Sequence, residues 1–394
     1  KLCGWFRERQ PEVRTATLHW QTWSEVGMAV MTDSVGINKN TFKMDFIAPA
    51  EGVVHLADEL ELGLPESEVL ISDGFFERAF YTYEFERPDA ALAYPPAARR
   101  ETGTTEKATI AGPLLAGLVK RADGGATAQV VFDPKADTFL IEHRLKSKPF
   151  LPAVVGIEAL AEVACALGGS REVFELRNVR VINGLAFPTD GPIAATVTAT
   201  ASSDGLACAL TTEVRDRQGR VIDAAKRLIE AVVPTASEPI VAAAPTLPPL
   251  GWYPYAYSDN LLLFHGPPLR CLKEVGYIYE GGWGRILAPA ADELVGPRCK
   301  DGWLLPMAVL DACEVACGSF LYLQFGGAIE VPSEFERLRW SRAPHPGESC
   351  LVVMRFRERK DRHSLFDFTL YGDDSQPILD AVGYRTVLIG DGGR

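Results

Sequence analysis

Of the six histidines in this chain, His143 is the one placed for chemistry. It follows an apolar run, Phe139, Leu140 and Ile141, that reads as a strand end, and it precedes Arg144, Lys146, Ser147 and Lys148, which read as a loop. An imidazole with an ordinary pKa of about 6.5 at such a position can serve as a general base near neutral pH. The residues alone leave a structural role open as well. The element that must hold it comes next. After Pro149 and Pro152, residues Val154, Val155, Ile157, Leu160, Ala161, Ala164 and Leu167 recur at three- and four-residue spacing, which predicts a buried helix. Gly156 falls inside that helix, where a missing side chain would let substrate or another part of the protein approach.

Composition bounds the setting. The chain has 394 residues, 47% of them apolar, enough for two or three packed domains. A net charge of −12, with no basic run beyond Arg144, Lys146 and Lys148, argues against a nucleic-acid partner. Eight cysteines without a CxxC pair give neither a zinc pattern nor a disulfide framework, so no metal is expected. Cys313 and Cys317 share one helical face and read as buried thiols. The most apolar stretch is interrupted by Glu158 and Glu162, and no signal peptide opens the chain. A soluble, cytoplasmic protein without a membrane partner is the expectation.

Two Pro/Ala-rich stretches divide the chain, residues 89–106 and 237–251. The halves flanking 237–251 carry the mark of a duplication: Gly219-Arg220-Val221-Ile222-Asp223-Ala224 recurs as Gln376-Pro377-Ile378-Leu379-Asp380-Ala381, an offset of 380 − 223 = 157. That offset carries the first apolar helix onto another, at residues 309–323. In each half the helix is followed by long alternating strands joined by turns such as Ser203-Asp204-Gly205, the pattern of antiparallel hairpins. Residues 1–88 read differently, as a helix tail (2–12), a strand (14–20), a loop (21–29), a helix after Pro49 and a strand (68–71), with no Gly-rich dinucleotide turn.

His143, Ser147 and Pro152 fall at the spacing of the HxxxGxxxxP signature of polyketide and fatty-acid synthase dehydratase domains, with Ser147 where the family carries Gly. His265-Gly266-Pro267 resembles their YGP or HGP turn, and residues 305–312 resemble their second motif, in which an Asp opens a helix. The segment 1–88, with Trp23-Ser24-Glu25-Val26-Gly27-Met28-Ala29, resembles the C-terminal end of a polyketide synthase ketoreductase. A ketoreductase end leading directly into a dehydratase resembles the iterative enediyne synthases.

The resemblance implies an α+β architecture: a ketoreductase end (1–88), a linker (89–106), a first hotdog (107–236), a linker (237–251) and a second hotdog (252–394), with the active site between the hotdogs. It implies elimination of water from a 3-hydroxyacyl thioester, with His143 as base and Asp311 as the group facing it. Ser147, Pro152, Gly156, His265, Gly266, Pro267 and Val315 would meet substrate, and the backbone from Ser147 to Val155 would bind the thioester carbonyl. Burial among Val309, Leu310 and Ala312 penalises charge on a carboxyl and suits it to donate a proton, whereas a helix cap is the plain alternative. Val315 stands where the family has Gln or His, one turn after the Asp. No cofactor is implied beyond the phosphopantetheine that carries the substrate. Implied partners are an acyl carrier protein, for which Arg144, Lys146 and Lys148 offer a basic patch, other synthase domains, and a further copy of the chain in a homodimer. A product-template or cyclase double hotdog and an inactive scaffold module are the rival readings. Tyr253, Tyr255, Tyr257 and Phe264 are expected as tunnel-wall aromatics; His19, His55, His345 and His363 as structural.

Overall fold

The computed structural model describes residues 17–20, 23–25, 46–62, 68–71, 113–168, 174–187, 189, 191–215, 220–242, 245, 252–257, 263–298, 302–325 and 329–389. The expected helix tail at 2–12 and the linker at 89–106 lie outside them. In the N-terminal segment, strand β1 (Thr17–Trp20) pairs in parallel with β2 (Glu68–Ile71), and helix α1 (Pro49–Leu62) lies between them in sequence. A crossover helix between parallel strands is the α/β unit expected there.

The remainder is two copies of one design. In the first, β3 (Ala116–Lys120), β4 (Ala126–Phe132), β7 (Phe174–Val181), β8 (Ile193–Ser202), β9 (Gly205–Arg215) and β10 (Val221–Val233) wrap helix α3 (Ala153–Ala166). In the second, β11 (Tyr253–Pro254), β13 (Leu272–Ile278), β14 (Gly281–Leu287), β15 (Glu330–Trp340), β16 (Ser349–Lys360), β17 (His363–Tyr371) and β18 (Pro377–Leu388) wrap helix α5 (Met307–Phe325). β7, β8 and β10 start 156 residues before β15, β16 and β18 (330 − 174, 349 − 193, 377 − 221), one residue from the offset of the repeated hexapeptide. Residues 221–224 of the first copy open β10 and residues 377–381 of the second open β18, where Asp223 pairs with Val214 and Asp380 with Thr369.

All thirteen strands form a single antiparallel sheet in the order β11-β13-β14-β16-β17-β18-β15-β7-β10-β9-β8-β4-β3. Its seam is the pairing of β7 with β15, from Phe174 opposite Trp340 to Arg180 opposite Glu334. Both helices are buried along nearly their whole length, and they touch each other. Helix α5 is long and apolar enough to cross a membrane, but it is packed as the central helix of the second half.

A small separate sheet joins the halves at the site. β5 (His143–Leu145) and β6 (Lys148–Pro149) form a hairpin, and β12 (Leu263–His265) of the second half pairs with β5 in antiparallel fashion. Here the structure corrects two expectations. Residues 139–141 belong to a one-turn helix, α2 (Thr138–Ile141), so His143 opens a strand instead of ending one. The basic stretch behind it is a two-residue hairpin turn in which Lys146 (φ 50°) and Ser147 (φ 66°) are both left-handed. That turn matches the twist of the strands, and its latter position is where glycine costs least. A short helix α4 (Ala291–Val295) follows β14, and beyond it Arg298 holds Asp137 at the start of α2 through a forked ion pair (2.6 and 2.8 Å) that crosses from one half to the other.

Candidate active site

His143 projects from the first residue of β5, and its position is fixed twice. Its Nδ1–H donates to the Phe150 carbonyl at 2.7 Å, which leaves the lone pair on Nε2. Its strand partner is His265: the two residues are directly opposite in the β5–β12 ladder, and their rings meet edge to face with centroids 5.2 Å apart. His265 is held in turn by Gly266, whose N–H donates to the Glu142 carbonyl at 2.7 Å, and by Arg270, which donates to the His265 carbonyl at 2.7 Å.

Asp311 comes from the other half, as the fifth residue of α5. This excludes the cap alternative and also departs from the expectation that the Asp opens its helix. Its Oδ2 lies 3.4 Å from Nε2 of His265, yet among the described residues no donor is aligned on that oxygen. The two atoms flank the same space without bonding to each other. A hydrogen-bonding group in the cavity beside the pair can reach both atoms at once.

His143, His265 and Asp311 are 5%, 8% and 5% exposed and open onto one cavity of about 370 Å³ with a mostly apolar wall. Both halves build it, with Phe150, Ala153 and Leu228 on one side and Tyr255, Tyr257 and Val315 on the other. Burial, reinforced by the neighbouring His265, depresses the His143 pKa to about 4, so the ring is neutral at physiological pH. Glu314, three residues after Asp311, also lines the cavity; burial and the nearby Asp311 push its pKa well above the ordinary carboxyl value. Glu314 was not among the expected site residues, although its spacing from Asp311 puts both on one helical face.

The other expected contacts divide. Val315 and His265 line the cavity as anticipated, and so do Tyr255 and Tyr257; Tyr253 and Phe264 do not. Ser147, Pro152, Gly156, Gly266 and Pro267 are corrected: none lines it. Ser147 is exposed at the hairpin tip, Pro152 precedes α3 as its N-cap, and Pro267 is exposed at the start of a 3-10 turn. Gly156 faces the sheet, where a Cβ would come within 2.3 Å of the Ile229 side chain. A Cβ on Gly266 would collide with Glu142, so that glycine permits the close approach that aligns β12 with β5. The expected carbonyl-binding backbone from Ser147 to Val155 is partly spent: the Phe150, Leu151 and Val155 N–H groups donate to the His143, Leu185 and Pro152 carbonyls. None of His55, His345 and His363 lines the cavity.

Two helices, each wrapped by half of a continuous antiparallel sheet, with a histidine from one half and an aspartate from the other in a shared apolar cavity, define a double hotdog. Residues 112–213 match the family model described as "Polyketide synthase dehydratase domain". Solved structures of similar fold include "GphF Dehydratase 1" (16% identity, TM-score 0.57, 70% of this chain and 98% of that one). The "Dehydratase domain from CurJ module of Curacin polyketide synthase" gives 13% identity and a TM-score of 0.55 over 71% of this chain and 98% of that one. The dehydratase domain of RzxB from Pseudomonas fluorescens gives 17% and 0.55 over 70% and 98%. No curated protein matches the sequence. The match to the dehydratase family model thus falls within the first half of the double hotdog, and the likeness to the solved dehydratase domains extends the same fold over both halves.

Proposed function

We propose that this domain eliminates water from a 3-hydroxyacyl thioester to give a 2-enoyl thioester. The observation that carries the reading is the facing of His143 Nε2, its lone pair free by tautomer, toward the cavity that Asp311 enters from the other half. His143 Nε2 takes the C2 proton, the C2–H electron pair forms the C2=C3 bond, and the C3–O bond breaks as Asp311 gives its proton to the departing hydroxyl. Asp311 is left as a carboxylate that stabilises the new imidazolium, and proton exchange with water restores both. His265 and Asp311 flank the hydroxyl, so His265 supplies from β12 the polar contact that Val315 cannot. The first turn of α3, opening at Ala153 on the cavity wall, offers N–H groups to the thioester carbonyl.

The substrate arrives on the phosphopantetheine of an acyl carrier protein, whose acidic surface is met by Lys146 and Lys148, exposed on the hairpin beside the base. The parallel pairing of β1 with β2 supports reading 1–88 as a ketoreductase end, in the domain order of iterative enediyne synthases. The test is incubation with both enantiomers of a 3-hydroxyacyl thioester, followed by mass and ultraviolet absorbance. Loss of one water with appearance of the conjugated enoyl chromophore is expected. No enoyl product, and no solvent exchange at C2 of an enoyl thioester, would make the domain a scaffold; ring closure of a poly-ketone thioester would make it a cyclase.

A further inference from the structure

The cluster of His143, His265 and Asp311 holds more than an acid and a base. Each residue presents one ligand-capable atom, and these atoms all lie within 4.8 Å of one another. In a tetrahedral zinc site with bonds of about 2.0–2.1 Å, neighbouring ligand atoms stand about 3.3 Å apart; Nε2 of His265 and Oδ2 of Asp311 are already at 3.4 Å. His143 has the arrangement of a metal-bound histidine, with Nδ1–H tied to a backbone carbonyl and Nε2 turned inward. Asp311 Oδ2 has no competing donor among the described residues, and the adjoining cavity leaves room for a fourth ligand. His265 is the decisive member, because without it two ligands from opposite halves remain.

We propose that these three side chains form a binding site for one divalent transition-metal ion of the zinc type. Zinc bound there occupies the His143 lone pair and excludes the acyl thioester. Binding stands on the cluster alone; the inhibition rests on the dehydratase reading. The experiment is titration of metal-stripped protein with Zn²⁺ against a chromophoric chelator, and with Co²⁺ followed by visible absorption. Expected are one equivalent of zinc, a cobalt spectrum with ligand-field bands but no thiolate charge-transfer band, and binding weakened at least about tenfold in His265→Phe and in Asp311→Asn. A Cys313→Ser/Cys317→Ser variant should bind as tightly as the parent. Absence of binding, a thiolate band, or undiminished affinity in a folded His265→Phe protein would overturn the site. Zinc should also abolish enoyl formation, with recovery on adding EDTA. Binding without any turnover in metal-free protein would sink the dehydratase reading and leave the metal site standing, whereas undisturbed turnover in zinc-saturated protein would overturn the proposed blockade.

Discussion

The two central helices carry acidic pairs of opposite character. On α3, Glu158 and Glu162 lie one turn apart and both are spent on backbone. Glu158 accepts from Leu304 and Leu305 (2.8 and 2.7 Å), and Glu162 accepts from Leu114 (3.2 and 3.1 Å to its two oxygens) and Leu115 (3.2 Å). On α5, Asp311 and Glu314 are nearly as deeply buried, but Asp311 Oδ2 and Glu314 Oε1 find no hydrogen-bond partner among the described residues, and both side chains face the cavity. An unmet polar atom costs about 1–3 kcal/mol. The difference separates carboxyls that tie the backbone together from carboxyls that turn an acceptor toward the cavity. The pairs are also linked, because Glu158 reaches across to the segment that leads into α5 and so helps set where Asp311 stands.

That contrast can be broken most severely at His143, the base of the proposed elimination. His143→Ala should remove enoyl formation by about 10²–10⁴-fold while circular dichroism stays native; turnover above a tenth of the parent's in a folded variant would take His143 out of the mechanism. Asp311→Asn should cost roughly 10²-fold or more in turnover with little change in melting temperature. Full activity coupled to a large loss of stability would assign Asp311 to the structural class instead. Glu158→Ala should do the reverse of Asp311→Asn. It orphans two N–H groups at about 1–3 kcal/mol each, read as a lower melting temperature, while Glu158→Gln, which keeps one acceptor, falls between.

A pH experiment sharpens the same contrast. Burial first, and Glu158 second, push the Glu162 pKa up to about 9 from an ordinary 4.5. The folded protein therefore holds a proton that the unfolded chain has released, and this contribution to stability is complete below pH 4.5 and is lost as pH rises toward 9. Glu162→Gln should flatten the slope of stability with pH across that window; an unaltered slope would place the proton elsewhere. The smallest effect is expected at Val315→Gln, with turnover unchanged or raised and a cost of about 1–3 kcal/mol if the wall repacks. A stable variant with reduced turnover would show that Val315 shapes the pocket.

Much of this design can be read in the residues, and what could not be has physical reasons. Pro152 and the spacing from Val154 to Leu167 mark α3 because apolar period and a proline stop agree. The repeated hexapeptide marks the duplication even though its two copies are buried differently: Val221 and Ile222 are exposed at the start of β10, whereas Ile378 and Leu379 are buried in β18. Residues 139–141 were open to misreading, since three apolar residues cannot distinguish a helical from an extended period. The turn at Lys146-Ser147 was hidden because Ser147 stands where glycine would announce a left-handed backbone. Pro152, Gly156 and Gly266 shape backbone and packing near the cavity without lining it, which motif spacing cannot separate from contact. Glu158 and Glu162 read as mere interruptions of an apolar stretch; their acceptor role depends on Leu304, Leu305 and Leu114, far away in sequence.

The rung that places His143 opposite His265 has a consequence for motion. His143 and His265 sit on one backbone ladder, with β5 from the first half and β12 from the second, so the separation of their backbones does not depend on side-chain choice or on a hinge between halves. Thermal breathing that parted the halves would have to tear this ladder along with the long β7–β15 seam. The two histidines therefore travel as one rigid body. Entry to the cavity that both histidines line therefore runs along the cavity and not through a clamshell parting of the halves.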